Sequence, residues 1–316
     1  MMKTEVHAVI GATGATGRVI VRELSGQGIP VRAVSRRGAP SSLPGVQAVA
    51  ADALDSGSLT AALEGVDVVY HCVMPTFARW QADFPRMTRA IADAAGKAGA
   101  RLVFADDTWM YGKVEGLISE RTPENPVSHK GVLRAWLAEM LLTSHFRGDV
   151  PVVIGRASEL YGPGVGSLLG ANFLGAIAKG KRPLYIGDPD LPITPTYIED
   201  FARSLIVLGR APESFGRTWI VPTPLPTTGR KLMRIASSQV GAAPRLRKIG
   251  SGVGKTLGLV WPLAREGAEM IYQFEQPFVV DGSDFTATFG SSPTSYDAAI
   301  ASTIAWYRDA DSRSTR

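Results

Sequence analysis

Three glycines near the start of the chain, Gly11, Gly14 and Gly17, have the spacing of a phosphate-binding turn. They follow the β-branched run VHAVIG and precede apolar residues with helical spacing, so a strand should enter the turn and a helix should leave it. Such glycines let the backbone approach a pyrophosphate, which the N–H groups of the helix start then face. The alternative is a tight turn that binds nothing. The predicted dinucleotide contacts in this turn are Gly11, Thr13, Gly14, Ala15, Thr16 and Gly17.

The residues after the second predicted strand indicate which dinucleotide would bind. That strand, VRAV, is followed by Ser35, Arg36 and Arg37 rather than by an acidic residue. A carboxylate here would select NAD, whereas a hydroxyl and a guanidinium suit the 2′-phosphate of NADP. We therefore predict NADP(H) as the cofactor, with surface arginines as the alternative. Asp52, in AADAL after the third strand, either accepts a hydrogen bond from the adenine amino group or forms a turn.

Other chemical motifs are incomplete. The sequence GSGVGKT at 250–256 resembles a Walker loop, but only three residues separate Gly250 from Gly254 where that motif has four. Cys72 is the single cysteine, which excludes an intrachain disulfide and a multi-cysteine metal site. The four histidines do not have the spacing of metal ligands, so no metal site is predicted.

Strand and helix patterns alternate from the first residues, which indicates a parallel sheet covered by helices on both faces. After residue 155 the alternation loosens and proline and glycine become frequent. We therefore predict an α/β fold, a Rossmann-type doubly wound parallel sheet with a smaller C-terminal α/β substrate lobe. Residues 1–155 would form the NADP(H)-binding domain, completed by parts of 190–225, and residues 156–316 would form mainly the substrate-binding lobe.

The composition is that of an ordinary globular protein, with 316 residues, 45% of them hydrophobic. The sequence has no run of 18 or more uncharged apolar residues and no leader-like start, so a cytoplasmic location is expected. The net charge is +5, but the basic clusters SRR, KGKR and RLRK are spread along the chain without interleaved aromatic residues. We interpret these clusters as solvated surface and predict neither nucleic-acid nor membrane binding.

With these motifs in order, the chain resembles the extended short-chain dehydrogenase/reductase family, which contains NAD(P)-dependent epimerases and dehydratases. The resemblance rests on GATGATG, DVVYHCV, LVFADDTWMYG, GRASELYGPG and PTYIEDFARSL, and it covers nearly the whole length. It implies an oxidoreductase acting on a carbonyl or alcohol of a small molecule. It also adds Cys72 and Val73, after the fourth strand, to the predicted cofactor contacts.

The resemblance also implies a catalytic set that this chain does not have. Family members use a Ser or Thr after the fifth strand, a Tyr, and a Lys four residues after the Tyr. Here the Ser position falls on Asp107, with Thr108 beside it, and the Tyr and Lys positions match Lys130 and Arg134 in SHKGVLRAWL. All three expected side chains are therefore replaced.

Two hypotheses follow from this replacement. In the first, redox chemistry is retained: Lys130, desolvated beside Arg134, acts as general acid or base, Asp107 or Thr108 orients the substrate, and Arg134 contacts the ribose. His129 is a competing proton donor or an exposed loop residue. In the second, Asp107 and Lys130 form only a structural ion pair, and the protein is a redox-silent NADP(H) sensor or scaffold, or a non-redox acid–base enzyme.

Evidence on the substrate and on assembly is limited. By resemblance, the second lobe closes over the nicotinamide with residues near Arg156, Tyr161 and GSLLGANF. Several aromatic residues either line an apolar pocket or pack in the core: Trp109, Phe173, Trp261, Tyr272 and Phe274. Apolar stripes on two predicted helices, one around Met87 and Ile91 and one from Val132 to Leu141, indicate core or subunit packing. Because family members often dimerise through these two helices, we expect a homodimer.

Overall fold

The structure is a computed structural model that describes residues 4–241, 245–249 and 269–314. The chain divides into two compact units. The first unit comprises Met1–Asp107, Val132–Arg156 and Phe201–Trp219. The second unit comprises Thr108–Gly131, Ala157–Asp200 and Ile220–Arg316.

The strands and helices follow in chain order. The described strands are β1 His7–Ile10, β2 Val31–Ser35, β3 Val46–Ala50, β4 Val68–His71, β5 Arg101–Asp107, β6 Leu117–Ile118, β7 Val152–Ala157, β8 Leu160–Tyr161, β9 Leu184–Ile186, β10 Pro192–Ile193, β11 Thr196–Tyr197, β12 Thr218–Ile220, β13 Thr227–Thr228, β14 Arg247–Ile249 and β15 Val279–Val280. The described α-helices are α1 Ala15–Gly26, α2 Ser56–Leu63, α3 Trp80–Lys97, α4 His129–Phe146, α5 Gly175–Ala178, α6 Ile198–Arg210, α7 Gly229–Val240, α8 Ser283–Phe289 and α9 Tyr296–Ser314.

Seven strands form one sheet in the order β12-β7-β5-β4-β1-β2-β3. Strands β3, β2, β1, β4 and β5 pair in parallel, with β1 between β2 and β4. The chain moves outward from β1 to β3 and then crosses to β4, so the order reverses between β1 and β4. This point is where doubly wound sheets bind their ligands, outside the carboxyl ends of the strands. The predicted fold class, a Rossmann-type doubly wound parallel sheet, is confirmed.

The central strands are buried along their whole length. Every residue of β1, β4 and β7 is buried, as expected for parallel strands covered by helices on both faces. Helix α1 covers the sheet with Val19, Ile20 and Leu24, each at most 5% exposed. Burial of each such aliphatic side chain stabilises the folded state by about 1.5–3 kcal/mol. The packing of α1 on the sheet therefore holds the ends of the strands in position.

The two predicted apolar stripes differ in what covers them. On α3, Met87 and Ile91 are buried, which agrees with core packing. On α4, Leu137 and Leu141 are buried, but Val132 is 55% exposed and Trp136 is 41% exposed. Part of the α4 stripe therefore lies on the surface of this chain rather than in its core.

The second unit is built from short paired strands and helices. Strand β8 pairs with β11, β9 with β14, and β6 with β15, all in parallel, while β10 and β13 are antiparallel. The pairing of β9 with β14 brings together the basic clusters KGKR and RLRK, which the sequence separates by more than 60 residues. Arg182 Nε donates a hydrogen bond to the Arg245 carbonyl, 3.4 Å away. Within the described chain, no helix has both the length and the apolar character needed to cross a membrane.

Candidate functional site

The glycine-rich turn joins β1 to α1 at the carboxyl edge of the sheet. Gly11 has φ of +88°, in the region that favours glycine. A Cβ at Gly11 would lie 2.7 Å from the Val73 nitrogen and 2.8 Å from the Cys72 carbonyl carbon. The turn therefore packs directly against the backbone that follows β4, and a side chain at Gly11 cannot be accommodated.

The other two glycines bring the start of α1 close to the turn. A Cβ at Gly17 would lie within 2.3 Å of the Gly11 carbonyl oxygen, and the Gly14 N–H donates to that same oxygen at 2.9 Å. Gly14 is the N-cap of α1, no side chain caps the helix, and its first turn has no acidic residue. The first N–H groups of α1 therefore face an anion-accepting position, next to the exposed Thr13 and Gly14. These residues fit the pyrophosphate of a dinucleotide.

The backbone after β4 forms the opposite side of this position. The Cys72 N–H donates to the Ile10 carbonyl at 2.9 Å, which joins the ends of β4 and β1. Cys72 is half-buried as a residue, and desolvation raises the pKa of its thiol to about 12. The thiol therefore stays protonated near neutral pH, so Cys72 can be a packing contact for a ligand but not a thiolate nucleophile.

The residues predicted to read the adenosine end lie in two turns. The Ser35 hydroxyl accepts a hydrogen bond from the Ala39 N–H at 3.1 Å, so its acceptor role serves the turn after β2. Arg36 and Arg37 in that turn are exposed, and neither forms an ion pair within the part of the chain that the structure describes. Asp52 accepts from the Leu54 N–H at 2.9 Å, which is the turn alternative raised from the sequence.

A buried cluster of charged groups lies where β5 and β7 end in the first unit. Arg134, from α4, places Nη1 3.2 Å from Asp106 Oδ1 and Nε 2.9 Å from Asp107 Oδ2. Arg156, from β7, donates from Nε to Asp106 Oδ2 at 3.0 Å. Arg134 and Arg156 are 6% and 2% exposed, and Asp106 is 3% exposed. The structure thus brings the predicted residues Arg134 and Asp107 together, and pairs Arg156 with a carboxylate of the chain itself.

Aromatic rings surround the same guanidinium. The Arg134 Cζ lies 5.2 Å from the ring centroid of Trp80, 4.8 Å from that of Phe84 and 5.7 Å from that of Phe104. Such contacts stabilise a cation by about 0.5–2 kcal/mol, more when it is desolvated. A guanidinium also stays protonated at any physiological pH, so Arg134 cannot transfer a proton itself.

His71, the last residue of β4, lies beside this cluster. Its Nε2 is 3.0 Å from Thr88 Oγ1, and its ring centroid is 4.9 Å from that of Phe104. Burial, reinforced by the positive charge of Arg134, lowers the pKa of His71 to about 3. His71 is therefore neutral near pH 7 and contributes no charge of its own.

Lys130 and His129 meet a carboxylate in the second unit. Lys130 Nζ lies 2.5 Å from Glu269 Oε1, and the other oxygen of Glu269 accepts from the His129 N–H at 3.0 Å. The Ser128 hydroxyl accepts from the Gly131 N–H at 3.0 Å, which is an ordinary N-cap and explains why α4 begins at His129. Lys130 is thus held in an ion pair, and the side chain of His129 is 88% exposed.

Other predicted residues of the second unit are mostly core. Tyr161, Phe173 and Phe274 are at most 3% exposed, and the Tyr272 hydroxyl donates to the Trp109 carbonyl at 3.2 Å. A small recess, partly open to solvent, is lined by Ser158, Glu159, Ile193, Pro195, Gln273, Phe274 and Phe278. Thr108 is buried, and its hydroxyl has no hydrogen-bond partner among the described residues. Trp261 and the GSGVGKT segment lie outside the described residues.

Sequence reasoning missed two residues of these clusters, Asp106 and Glu269. A signal for Asp106 was present, because it follows Leu102 and Phe104 at even spacing on a buried strand, where a carboxylate needs a partner. Glu269 is separated from Lys130 by 139 residues and has no comparable local signal. Within the described chain, no group of three or more His, Cys, Asp or Glu residues could hold a metal ion.

Comparisons with known proteins identify the family to which this sequence is similar. A family model described as the NAD dependent epimerase/dehydratase family matches residues 7–221. A 3beta-hydroxysteroid-dehydrogenase/decarboxylase of Arabidopsis thaliana is 26% identical over 182 residues, which cover 54% of this chain and 32% of that protein. An uncharacterized UDP-glucose epimerase of Bacillus subtilis is 26% identical over 174 residues, which cover 52% of this chain and 55% of that protein. This chain thus spans only about a third and about half of these two relatives.

Solved structures match over almost the whole length. A dTDP-glucose 4,6-dehydratase from Streptomyces venezuelae, solved with NAD and TYD bound, has a TM-score of 0.79 at 21% identity, covering 98% of each chain. A UDP-glucuronic acid 4-epimerase from Bacillus cereus, in complex with NAD, has a TM-score of 0.78 at 17% identity, covering 96% of this chain and 99% of that one. At these identities the likeness shows the fold.

Proposed function

Because the chain belongs to the NAD dependent epimerase/dehydratase family, we propose that it is an NADP(H)-dependent oxidoreductase of the epimerase/dehydratase type, acting on a carbonyl or alcohol of a small molecule. The observation that carries this proposal is the turn between β1 and α1, where Gly11 packs against Val73 and the helix start is free of acidic residues. In this proposal the first unit holds the cofactor, as predicted for residues 1–155 with parts of 190–225, and the second unit supplies substrate-binding residues.

The preference for NADP(H) rests on Arg36 and Arg37. Both are exposed directly after β2, where a carboxylate would select NAD. The Ser35 hydroxyl accepts from the Ala39 N–H, but its O–H can still donate to a phosphate oxygen. Solved relatives named with NAD support a nicotinamide cofactor in general, and the two arginines support the phosphorylated form for this chain.

The chemistry would use the residues that replace the family's catalytic set. The nicotinamide, when bound, supplies or accepts a hydride. Lys130, at the position of the missing tyrosine, would donate the accompanying proton to the substrate oxygen, with Glu269 as its partner. Arg134, whose charge is permanent, would orient a ligand oxygen, and Asp107, whose side chain is 17% exposed, would accept a hydrogen bond from the substrate or the ribose.

The substrate class is supported only by the relatives. The solved neighbours include proteins named for dTDP-glucose, UDP-glucuronic acid and UDP-glucose, and the first curated relative is named as a hydroxysteroid dehydrogenase. We therefore propose nucleotide sugars as the first class to test and hydroxysteroids as the second.

A second candidate function is cofactor binding without redox chemistry. It is favoured by a specific observation: both cations that replace the family's tyrosine and lysine are engaged by carboxylates, Lys130 by Glu269 and Arg134 by Asp106 and Asp107. Such a protein would bind NADP(H) as a sensor or scaffold, or use the pocket for non-redox acid–base catalysis.

One experiment separates the two functions. The protein is incubated with NADPH and a panel of keto-sugar nucleotides and ketosteroids, and with NADP⁺ and the corresponding alcohols, while NADPH absorbance is followed. The oxidoreductase proposal predicts a substrate-dependent net change in NADPH absorbance or, if the hydride is returned to the product within one turnover, conversion of the compound that chromatography detects without a net absorbance change. Lys130→Ala should strongly reduce either signal. Binding of NADPH without turnover of any compound in the panel would favour the redox-silent function instead.

We also propose a homodimer formed through α3 and α4. The support is the exposed part of the α4 stripe, where Val132 and Trp136 present apolar surface that the described residues do not cover. Aromatic side chains of this kind are enriched in the buried centre of protein interfaces.

A further inference from the structure

Asp106 is a buried carboxylate shared between two guanidinium groups. Its side chain has no solvent exposure, Oδ1 lies 3.2 Å from Arg134 Nη1, and Oδ2 accepts from Arg156 Nε at 3.0 Å. The side chains of Arg134 and Arg156 are 7% and 3% exposed. All three groups are therefore removed from water together, Asp106 and Arg156 at the ends of the neighbouring strands β5 and β7 and Arg134 on α4.

The energetic logic makes the three residues interdependent. A charge in the protein interior is tolerated when it is paired and hydrogen-bonded, and removal of one partner reduces the compensation of the others. Without the Asp106 carboxylate, two buried cations would remain on α4 and β7 with mutual repulsion. Arg134 would keep Asp107, whose side chain is 17% exposed, and would be drawn toward it.

The geometry leaves part of the Arg134 guanidinium available. Nη1 donates to Asp106 Oδ1 at 3.2 Å and Nη2 lies 3.9 Å from the Met74 sulfur, whereas Nε forms an ion pair with Asp107 at 2.9 Å without hydrogen-bond geometry. Because each terminal nitrogen carries two N–H bonds, one donor on Nη1 and one on Nη2 remain for a ligand oxygen. The rings of Trp80, Phe84 and Phe104 prevent the planar group from tilting freely.

We propose that Asp106 and Arg156 are positioning residues, which hold the guanidinium of Arg134 in the orientation that contacts the nicotinamide half of the bound cofactor. This inference rests on the proposed NADP(H) function. It adds that a coupled set of three residues, Arg134, Asp106 and Arg156, stands where the family resemblance implies a single lysine.

The test separates the two halves of the cofactor. NADPH contains both the nicotinamide and the adenosine end, whereas 2′-phospho-ADP-ribose lacks the nicotinamide. Both ligands are titrated by calorimetry into the full-length protein and into Asp106→Asn, Arg156→Met and Arg156→Lys. Thermal unfolding of each variant checks that it is folded. Asp190→Asn, which removes an exposed carboxylate paired with Arg230, is the control for loss of a surface ion pair.

The expected pattern is selective. Loss of one partner of a buried charge pair should weaken NADPH binding roughly tenfold or more in Asp106→Asn and Arg156→Met. Arg156→Lys should restore part of this loss, because it keeps the charge. Binding of 2′-phospho-ADP-ribose should change by less than about twofold. Its contacts are distant from Asp106 and Arg156, and substitutions usually have little effect on distant contacts with which they share no partner.

Other outcomes overturn the inference in distinguishable ways. Equally weakened binding of both ligands would mean that Asp106 has only a structural role. Unchanged binding of both ligands would mean that Asp106 does not position Arg134. If Asp106→Asn does not fold, the two Arg156 variants decide by the same comparison. If the wild-type protein binds neither ligand, the proposed function fails, and this inference with it.

Discussion

Gly11 and Val73 approach each other so closely that a Cβ on Gly11 would stand 2.7 Å from the Val73 nitrogen. This contact joins the ends of β1 and β4, the two strands between which the order of the sheet reverses. Because the start of α1 points at the same place without a capping side chain, the contact defines the position of the cofactor phosphates in our account.

Gly17→Ala tests the close packing of the turn. A Cβ at Gly17 would overlap the Gly11 carbonyl oxygen, so the turn must shift and NADPH affinity should fall roughly tenfold or more, as for other loss of a buried hydrogen-bonded contact. Calorimetry with NADPH measures the change. Gly26→Ala, also on α1 but with nothing within 4 Å of the added Cβ, is the matched control and should bind as the wild type does. Equal affinities of the two variants for NADPH would contradict a role of this close packing in cofactor binding.

Lys130→Ala tests the proton donor. General acid–base groups contribute typically about 10²–10⁴-fold, so kcat/KM with the best compound of the panel should fall by at least about 100-fold. NADPH affinity should change little, because the proton donor acts on the substrate. Retained turnover in Lys130→Ala would show that another group, with His129 the next candidate, supplies the proton.

Glu269→Gln separates catalysis from helix capping. The amide can still accept from the His129 N–H, which preserves the contact at the start of α4, but it removes the negative charge 2.5 Å from Lys130. A lower kcat with unchanged thermal stability is expected if the pair delivers a proton to the substrate. Loss of stability with an unchanged kcat would assign Glu269 to structure alone.

Two buried histidines should make the protein sensitive to acid. Burial lowers the pKa of His71 to about 3 and that of His7 to about 4, from the usual 6.5. Below pH 6.5 the unfolded chain binds protons that the folded chain does not, so the free energy of unfolding should fall by about 1.4 kcal/mol per pH unit for each histidine. This loss should run from about pH 6.5 down to the lowered values and should be absent above pH 7.

Urea denaturation at pH 7.5, 6.5 and 5.5 measures this dependence, with the midpoint and slope recorded at each pH. His71→Gln should remove about half of the pH dependence because one of the two histidines is gone. A wild-type stability that stays constant between pH 6.5 and 5.5 would contradict the buried, neutral state of these rings.

Trp136→Glu tests the proposed dimer. A charge in the centre of an apolar interface leaves a desolvated, unpaired group, which costs several kcal/mol and should shift the protein to monomer. Analytical ultracentrifugation over a range of concentrations reads the result. The control is Phe146→Glu, which changes a residue of the same helix that is 74% exposed at its end. A wild-type protein that is monomeric at every concentration would rule out the dimer.

The sequence predicted those features that depend on local spacing. The turn of Gly11, Gly14 and Gly17 and the buried parallel strands follow from short patterns, because a tight strand-to-helix turn and a strand covered on both faces each restrict residue types within a few positions. The same holds for the absence of an acidic residue after β2.

Features that depend on distant partners were not predictable in the same way. Asp106 accepts a hydrogen bond from Arg156, 50 residues away in the sequence, and Lys130 pairs with Glu269, 139 residues away. The ion pair of Asp107 with Arg134 joins residues 27 positions apart and was not among the pairs expected from the sequence. Which charges meet is decided by how the sheet and helices pack, and that information is not local.

The most direct test of the central claim is calorimetric titration of the purified protein with NADPH and, separately, with NADH at fixed salt. Arg36→Ala is measured alongside, with Arg22→Ala as a control arginine that is paired with Glu23 on the surface of α1. Our account predicts that NADPH binds more tightly than NADH, that Arg36→Ala weakens NADPH binding roughly tenfold, and that it leaves NADH binding unchanged. Absence of binding for both cofactors would contradict the account as a whole. If NADH binds more tightly than NADPH and Arg36→Ala changes neither affinity, the assignment of NADP(H) is wrong.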